Sequence, residues 1–308
     1  MRKKLLVFLT LLFVICLSIF NVGCIDYAGN EPDASVGLEY QLSEDGTYYI
    51  VSSYGTCTDT KVVIPSTYKY KPVKEIGRYA FDHCIWITEI TIPDSIINIQ
   101  NEAFLYCLNL TEVTISNGAT NIGYMSFYHC PELYTRENDL IYVKANGNPY
   151  CILYEVADKK LLTCQINNNT KYISTCAFQW FLDLTEVTMP DKLTSIGAGA
   201  FQNCWNLTEV TIPNSVISIG SSAFEHCWDL NEFTIPASVT SIGHCAFRHC
   251  SLTSVTFEDS ANWYKTQNEN DWKNKTGGTL IDLSNPITNA NTFNSLTSYF
   301  DNYYLYKK

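Results

Sequence analysis

Residues Ala200–Ser222 read AFQNCWNLTEVTIPNSVISIGSS, and the next 23, Ala223–Cys245, read AFEHCWDLNEFTIPASVTSIGHC, identical at 14 positions. The unit before them, from Ala177, reads AFQWFLDLTEVTMPDKLTSIGAG. The anchor phenylalanine recurs at Phe81, Phe104, Phe127, Phe178, Phe201, Phe224 and Phe247. Every step is 23 residues except Phe127 to Phe178, which is 51, one period plus 28. A unit this short cannot bury its own apolar stripe, so the units must stack into a continuous core.

Within each unit, L-T-E-V-T-I-P alternates with period two and is rich in β-branched residues, which predicts a strand. The proline ends it, having no N–H to give a ladder. S-V-x-x-I-G reads as a second, shorter strand. The glycines Gly77, Gly123, Gly197, Gly220 and Gly243 are expected at a turn with positive φ. The segment x-x-A-F-x-x-C then reads as one helical turn with Phe and Cys on its inner side. The spacing L-x-x-V-x-I within this period is that of a leucine-rich-repeat solenoid, α/β in class and strand-rich. Parallel strands would line one face, with short strands and single helical turns on the other.

The chain has 308 residues, 46% hydrophobic and 17% charged, enough apolar surface for a core. Its net charge of −11 and the absence of a basic stripe exclude a nucleic-acid-binding role, which rests on phosphate contacts. Residues 1–23 join a basic start, Arg2-Lys3-Lys4, to an apolar run from Leu5 to Phe20. That run is short for a membrane span and suits a signal peptide. Gly23-Cys24 after it is the pattern of a lipidation site, although Asn21 stands where such sites usually carry leucine. Cys24 is therefore the expected anchor of an exported lipoprotein at the bacterial cell surface or outer leaflet; cleavage nearby without lipidation would give a secreted protein. Residues 24–37 read as a flexible tether, 38–65 as an N-terminal capping unit and 66–257 as the repeats. Residues 258–308 hold Trp263, Tyr264, Trp272 and the closing run SYFDNYYLYKK, and read as an aromatic cap or tail. The extra residues, about 133–160, place Asn146-Gly147 between two apolar runs and predict a β-hairpin projecting from the solenoid.

The anchors A-F-x-x-C-x-x-L-T-E-V-T-I-P-x-S-V-x-x-I-G resemble the BspA-type leucine-rich-repeat family of surface proteins, from Leu38 to Phe257. The resemblance implies adhesion, to host matrix proteins or to other bacterial cells, and carries over no residue-level binding motif. The chain departs from the pattern at Phe181, in place of the repeat cysteine, at Gln100 and Ser174, in place of glycine, and in a final unit one residue short at Ser251.

Three sets of side chains invite chemistry. Cys84, Cys107, Cys130, Cys204, Cys227 and Cys250 share one repeat position, where a small apolar thiol fits an inner corner as a structural ladder. A column of single thiols lacks the converging geometry of a metal site, and no metal or cofactor is expected. Cys151 and Cys164 flank a turn at Ala157-Asp158, across which an exported protein could form a disulfide. Histidines precede the ladder cysteines at His83, His129, His226 and His249. Adjacent residues on a helical turn diverge by about 100°, and no catalytic motif is present, so no enzyme is expected. A Cys–His enzyme would instead require a thiol titrating well below about 8.5.

The third set is Glu89, Glu112, Glu186, Glu209 and Glu232, with Thr91, Thr114, Thr188, Thr211 and Thr234 two residues on. Alternation turns them outward from the buried Val and Ile. Like charges about 5 Å apart repel by roughly 1 kcal/mol in water, so this face must be hydrated or met by a cationic partner. It is the candidate binding surface for an extracellular protein. The alternative is an envelope-organising structural protein with no host ligand.

Overall fold

The computed structural model describes residues 33–115, 118–259, 262–267, 269, 275, 277–281 and 304–307. The expected signal peptide, Cys24 and most of the expected tether lie outside the described residues. The rest winds as a strand-rich solenoid whose rungs stack in three columns.

The first column holds the longer strands, parallel and in register. Lys61–Val63, Glu89–Ile92 and Glu112–Ile115 form one sheet, and Thr163–Gln165, Glu186–Thr188 and Glu209–Val210 another. Glu232–Ile235 pairs with Ser254–Phe257. The second column holds two-residue strands such as Ser195–Ile196, Ser218–Ile219 and Ser241–Ile242. The third is a six-residue turn carrying the anchor phenylalanines, which stack ring on ring. Phe178, Phe201 and Phe224 lie 4.9 and 5.2 Å apart and are fully buried. Each such ring removes a large apolar area from water, and its stack fixes the rung spacing.

That third column is not helical. Each turn carries two left-handed residues four apart, for example Glu102 and Tyr106, or Ser222 and His226. A helix would use its N–H groups within the segment. These turns send alternate N–H groups to the next rung instead: Phe81 donates to Ala103 O at 2.8 Å, and Phe201 to Ala223 O at 2.7 Å. The cross-rung ladder replaces the expected helical turn.

The repeat glycines also answer to a different constraint. Gly77, Gly123, Gly197, Gly220 and Gly243 are absent from the positive-φ residues. A Cβ on Gly243 would lie 2.3 Å from Ser221 N, and one on Gly220 2.5 Å from Ala198 N. Close approach to the preceding rung, not turn conformation, demands glycine there.

The extra residues do not project. Tyr134–Glu137, Leu140–Ala145 and Asn148–Val156 form an antiparallel meander, the last two strands joined through Asn146-Gly147. The last strand then pairs in parallel with Tyr172–Ile173 of the next rung. Val143, Ala145, Cys151 and Tyr154 enter the core of the N-terminal block, while Leu140, Tyr142, Leu153 and Val156 enter that of the C-terminal block. The meander is a wall between two cores, buried on both faces, so its apolar runs are continuous rather than alternating. Cys151 and Cys164 fall in different cores, and both thiols are free.

The blocks meet through their short strands. Thr175 N donates to Ile122 O at 2.9 Å, and the Ser195 and Ser218 hydroxyls both donate to Thr120 O. At the N-terminal end, Glu39–Leu42 and Tyr49–Ser53 form a hairpin covered by stacked Tyr40 and Tyr68, 3.9 Å apart. At the other end, Tyr304–Lys307 pairs antiparallel with Ser241–Ile242 and Trp263–Thr266, and Trp263 is buried against Phe257 at 5.3 Å.

Candidate functional site

The longer-strand face is built by alternation. Val113 and Val187 point into the core, while Thr91, Thr114, Thr188, Thr211 and Thr234 are all exposed. The strands are held by a second threonine row one residue before the glutamates. Thr88, Thr111, Thr185 and Thr208 each donate a side-chain hydrogen bond of 2.9–3.2 Å to a carbonyl of the previous rung. In the next unit that position is Asn231, whose side chain turns to Asp229 O instead.

The five glutamates fall into two groups. In the N-terminal block, Glu89 sits opposite Glu112 in register. Glu89 forms an ion pair of 2.6 Å with Lys61 of the rung before it. Glu112 lies 4.0 Å from Lys144 of the meander and accepts a hydrogen bond from Gly147 N. In the C-terminal block, Glu186 faces Glu209 in register, and Glu186, Glu209 and Glu232 are exposed. None of the three has an ion-pair partner among the described residues.

The strand ladder is also interrupted there, since Glu209–Val210 and Glu232–Ile235 belong to separate sheets. The repeat places Val or Ile at the core position, but this unit has Phe233, packed edge-on against Phe224 at 5.4 Å and Phe247 at 4.4 Å. The larger ring and the missing threonine bond both fall in the unit where the ladder breaks. An open groove of about 600 Å³ lies beside them, its lining including Glu209, Thr211, Glu232, Thr234, Asn231 and Glu258. The structure thus gathers four predicted residues and adds Glu258 and Asn231, which the repeat pattern did not single out. Phe233 and Asn231 were the signals, as the two departures from L-T-E-V in that unit.

The ladder thiols do a specific job. Cys107, Cys130, Cys204, Cys227 and Cys250 are buried, and each Sγ donates to the carbonyl of the preceding rung's anchor phenylalanine at 3.0–3.2 Å. Burial pushes Cys84 and Cys204 up to about 12. Cys245 and His244 approach to 3.9 Å, but burial raises the thiol and lowers the imidazole, the reverse of a thiolate–imidazolium pair. His226 and His249 stack at 4.5 Å. Among the described residues no cluster of three or more His, Cys, Asp or Glu could hold a metal.

A second opening, about 310 Å³, lies where the blocks meet, lined by Glu75, Asn98, Asn121, Ser218, Ser241 and Tyr304 among others. Glu75 is buried there, accepting hydrogen bonds from the Tyr48 hydroxyl at 2.6 Å and from the Asn98 and Gln100 amides at 2.8 Å.

The model of the BspA type leucine rich repeat region matches residues 52–139 and 154–268, in six copies. Solved structures similar to the chain include a T. pallidum leucine rich repeat protein, 23% identical over 70% of this chain and 87% of that one, TM-score 0.34. A leucine rich cell surface protein from Faecalibacterium prausnitzii is 25% identical, covering 82% of this chain and 61% of that one, TM-score 0.34. The pneumococcal vaccine antigen PcpA is 18% identical, covering 73% and 80%, TM-score 0.39. No curated protein matches the sequence.

Proposed function

The chain belongs to the BspA-type leucine-rich-repeat family, and on that premise we propose that it is an exported binding protein, anchored by lipid at Cys24. It carries no chemistry of its own. Its partner is an extracellular protein with a basic surface, on host matrix or on another bacterial cell, and it binds the acidic strand face of the C-terminal block. The observation that carries this reading is the asymmetry between blocks. Glu89 and Glu112 have lysines beside them, whereas Glu186, Glu209 and Glu232 have no ion-pair partner among the described residues, and Glu209 and Glu232 border an open groove. Three like charges on adjacent rungs repel one another in the free protein, so a cationic partner relieves a cost already present.

Two experiments test it. Binding to immobilised fibronectin, fibrinogen and whole bacterial cells should be saturable for the wild type and weaker for the Glu186→Gln, Glu209→Gln, Glu232→Gln variant. No saturable binding to any of the three would reject the adhesive reading in favour of an envelope-organising role. Metabolic labelling with a radioactive fatty acid should mark the wild type and not Cys24→Ala; equal labelling of both would reject the anchor.

A further inference from the structure

The opening where the blocks meet is lined by residues that depart from the repeat. At the first position of the short strand, the C-terminal block carries Ser195, Ser218 and Ser241 on consecutive rungs, as the S-x-x-x consensus of its units requires. The N-terminal block carries Glu75, Asn98 and Asn121 there instead, also on consecutive rungs. The two columns face each other. The Ser195 and Ser218 hydroxyls donate to Thr120 O, and the Thr175 hydroxyl donates to Asn121 Oδ1 at 3.4 Å. Between the same columns lies the opening of about 310 Å³.

A buried carboxylate organises this wall. Glu75 is 3% exposed, and its Oε2 accepts from both the Asn98 and the Gln100 amides at 2.8 Å. Asn98 Oδ1 in turn accepts from Asn121 Nδ2 at 2.8 Å. Gln100, which breaks the glycine pattern on its rung, thereby helps to hold the carboxylate. A charge at the end of such a chain strengthens each bond and fixes both asparagine amide planes. Each asparagine has two amide N–H groups and uses one, so each keeps a second with no acceptor among the described residues. On the opposite wall, the Ser241 hydroxyl has no hydrogen-bond partner among them either. Asn98, Asn121 and Ser241 are half-buried, and Ile217 in the same lining is 41% exposed, so the space is open to solvent.

The groups on offer select a class of ligand. Glu75 and Glu269 against Lys275 make the lining net negative, which disfavours an anion. A hard metal cation would need converging oxygens, whereas both asparagine oxygens are engaged and N–H donors remain. A neutral molecule with several hydroxyls and an apolar face fits both facts. Asn98 and Asn121 pair in register on neighbouring strands, about 4.8 Å apart, and alternate equatorial hydroxyls of a pyranose ring have about the same separation. We propose that the opening binds one neutral sugar ring, free or at the end of a glycan. Two alternate hydroxyl oxygens accept from the spare N–H groups of Asn98 and Asn121, and a hydroxyl on the other edge pairs with Ser241. The C–H face of the ring lies against Ile97, Ile217 and the Tyr304 ring. The volume is at the small end of ligand pockets, which suits a single ring. The site is separate from the acidic strand face and does not depend on it.

The test titrates glucose, galactose, mannose and N-acetylglucosamine, then lactose and maltose, into the purified full chain by calorimetry. At least one monosaccharide should bind saturably, in the millimolar range or tighter. A monosaccharide bound without its disaccharide marks a free sugar, and both bound mark a glycan end; either supports the proposal. Affinity should hold from low to high salt and survive the triple Glu→Gln substitution, which separates this site from the acidic face. The uronic acid of the sugar that binds should bind more weakly. Ser241→Ala should weaken binding about 3- to 10-fold, the worth of one hydrogen bond, without lowering the melting temperature, because that hydroxyl has no partner to lose. Asn121→Ser installs the side chain that three C-terminal rungs carry at this position, so the fold should accept it, and it too should weaken binding. No saturable binding of any neutral sugar, a uronic acid bound more tightly than its neutral sugar, or binding that neither variant weakens would overturn the proposal.

Discussion

Replacing Gly243 with alanine tests whether the solenoid is held by backbone contact between rungs. The added Cβ would lie 2.3 Å from Ser221 N and 2.6 Å from Gly220 C, about 1 Å inside ordinary contact. Both neighbours are backbone, so no side chain can swing aside. The rung must shift, and it is held by Gly243 N to Ile219 O at 2.8 Å and by the pairing of Ser218–Ile219 with Ser241–Ile242. Overpacking of this kind costs about 1–3 kcal/mol and a disrupted hydrogen bond about 1 more, so a loss near 3 kcal/mol is expected. Against a typical stability of about 5–15 kcal/mol that is a large fraction, readable as a lowered urea midpoint. Two controls separate the causes. Gly46→Ala, at φ +69° with nothing within 4 Å of its Cβ, meets only left-handed strain and should cost about 1–2 kcal/mol. Gly243→Asn should be at least as damaging as Gly243→Ala, whereas a left-handed turn would tolerate asparagine better. A Gly243→Asn protein more stable than Gly243→Ala, or a Gly243→Ala protein as stable as wild type, would refute the close-approach argument.

Three further outcomes are expected. Phe201→Ala removes the middle ring of a buried stack and should cost about 3–5 kcal/mol in denaturant, while Trp228→Ala, half-exposed against Trp205, should cost under about 1 kcal/mol. Burial raises Cys84, Cys164 and Cys204 to about 12, against about 8.5 in the unfolded chain. The folded state therefore favours their protonated form. That stability is whole below about pH 8.5 and is lost as pH climbs toward 12, so the melting temperature should fall across this window; rapid alkylation of these thiols in the native protein at pH 8 would contradict it. Glu75→Ala strands the Tyr48 hydroxyl and two amides and should cost about 2–4 kcal/mol by thermal melt, most of which Glu75→Gln should restore at Tyr48 by keeping a carbonyl acceptor.

The repeat was legible because stacking demands the same residue at the same place in every rung. Period, strand positions and inward phenylalanines all follow from the 23-residue spacing. What the spacing hides is contact between rungs, which lies 23 residues away in sequence and depends on backbone geometry. Hence the glycines looked like turn residues when their role is close approach, and the A-F-x-x-C segment looked helical when its N–H groups serve the next rung. The meander was misread for a related reason. An Asn-Gly turn between apolar runs describes a hairpin equally well in solvent or between two cores, and only the apolar faces on both sides of Leu140–Val156 hinted at the second. For the acidic face, alternation placed the glutamates outward, but their division into two groups rests on Lys61 and Lys144, neither of them part of the repeat consensus.

Partner binding is proposed to reside on the acidic face of the C-terminal block. The most direct test compares salt dependence for two variants against immobilised fibronectin, fibrinogen and bacterial cells. One is Glu186→Gln, Glu209→Gln, Glu232→Gln; the other is Glu89→Gln, Glu112→Gln, whose carboxylates already have lysine neighbours. Wild-type affinity should fall with salt, the triple variant should lose both affinity and most of that salt slope, and the double variant should keep both. Equal losses in the two variants, or a triple variant that binds as wild type does, would contradict that placement.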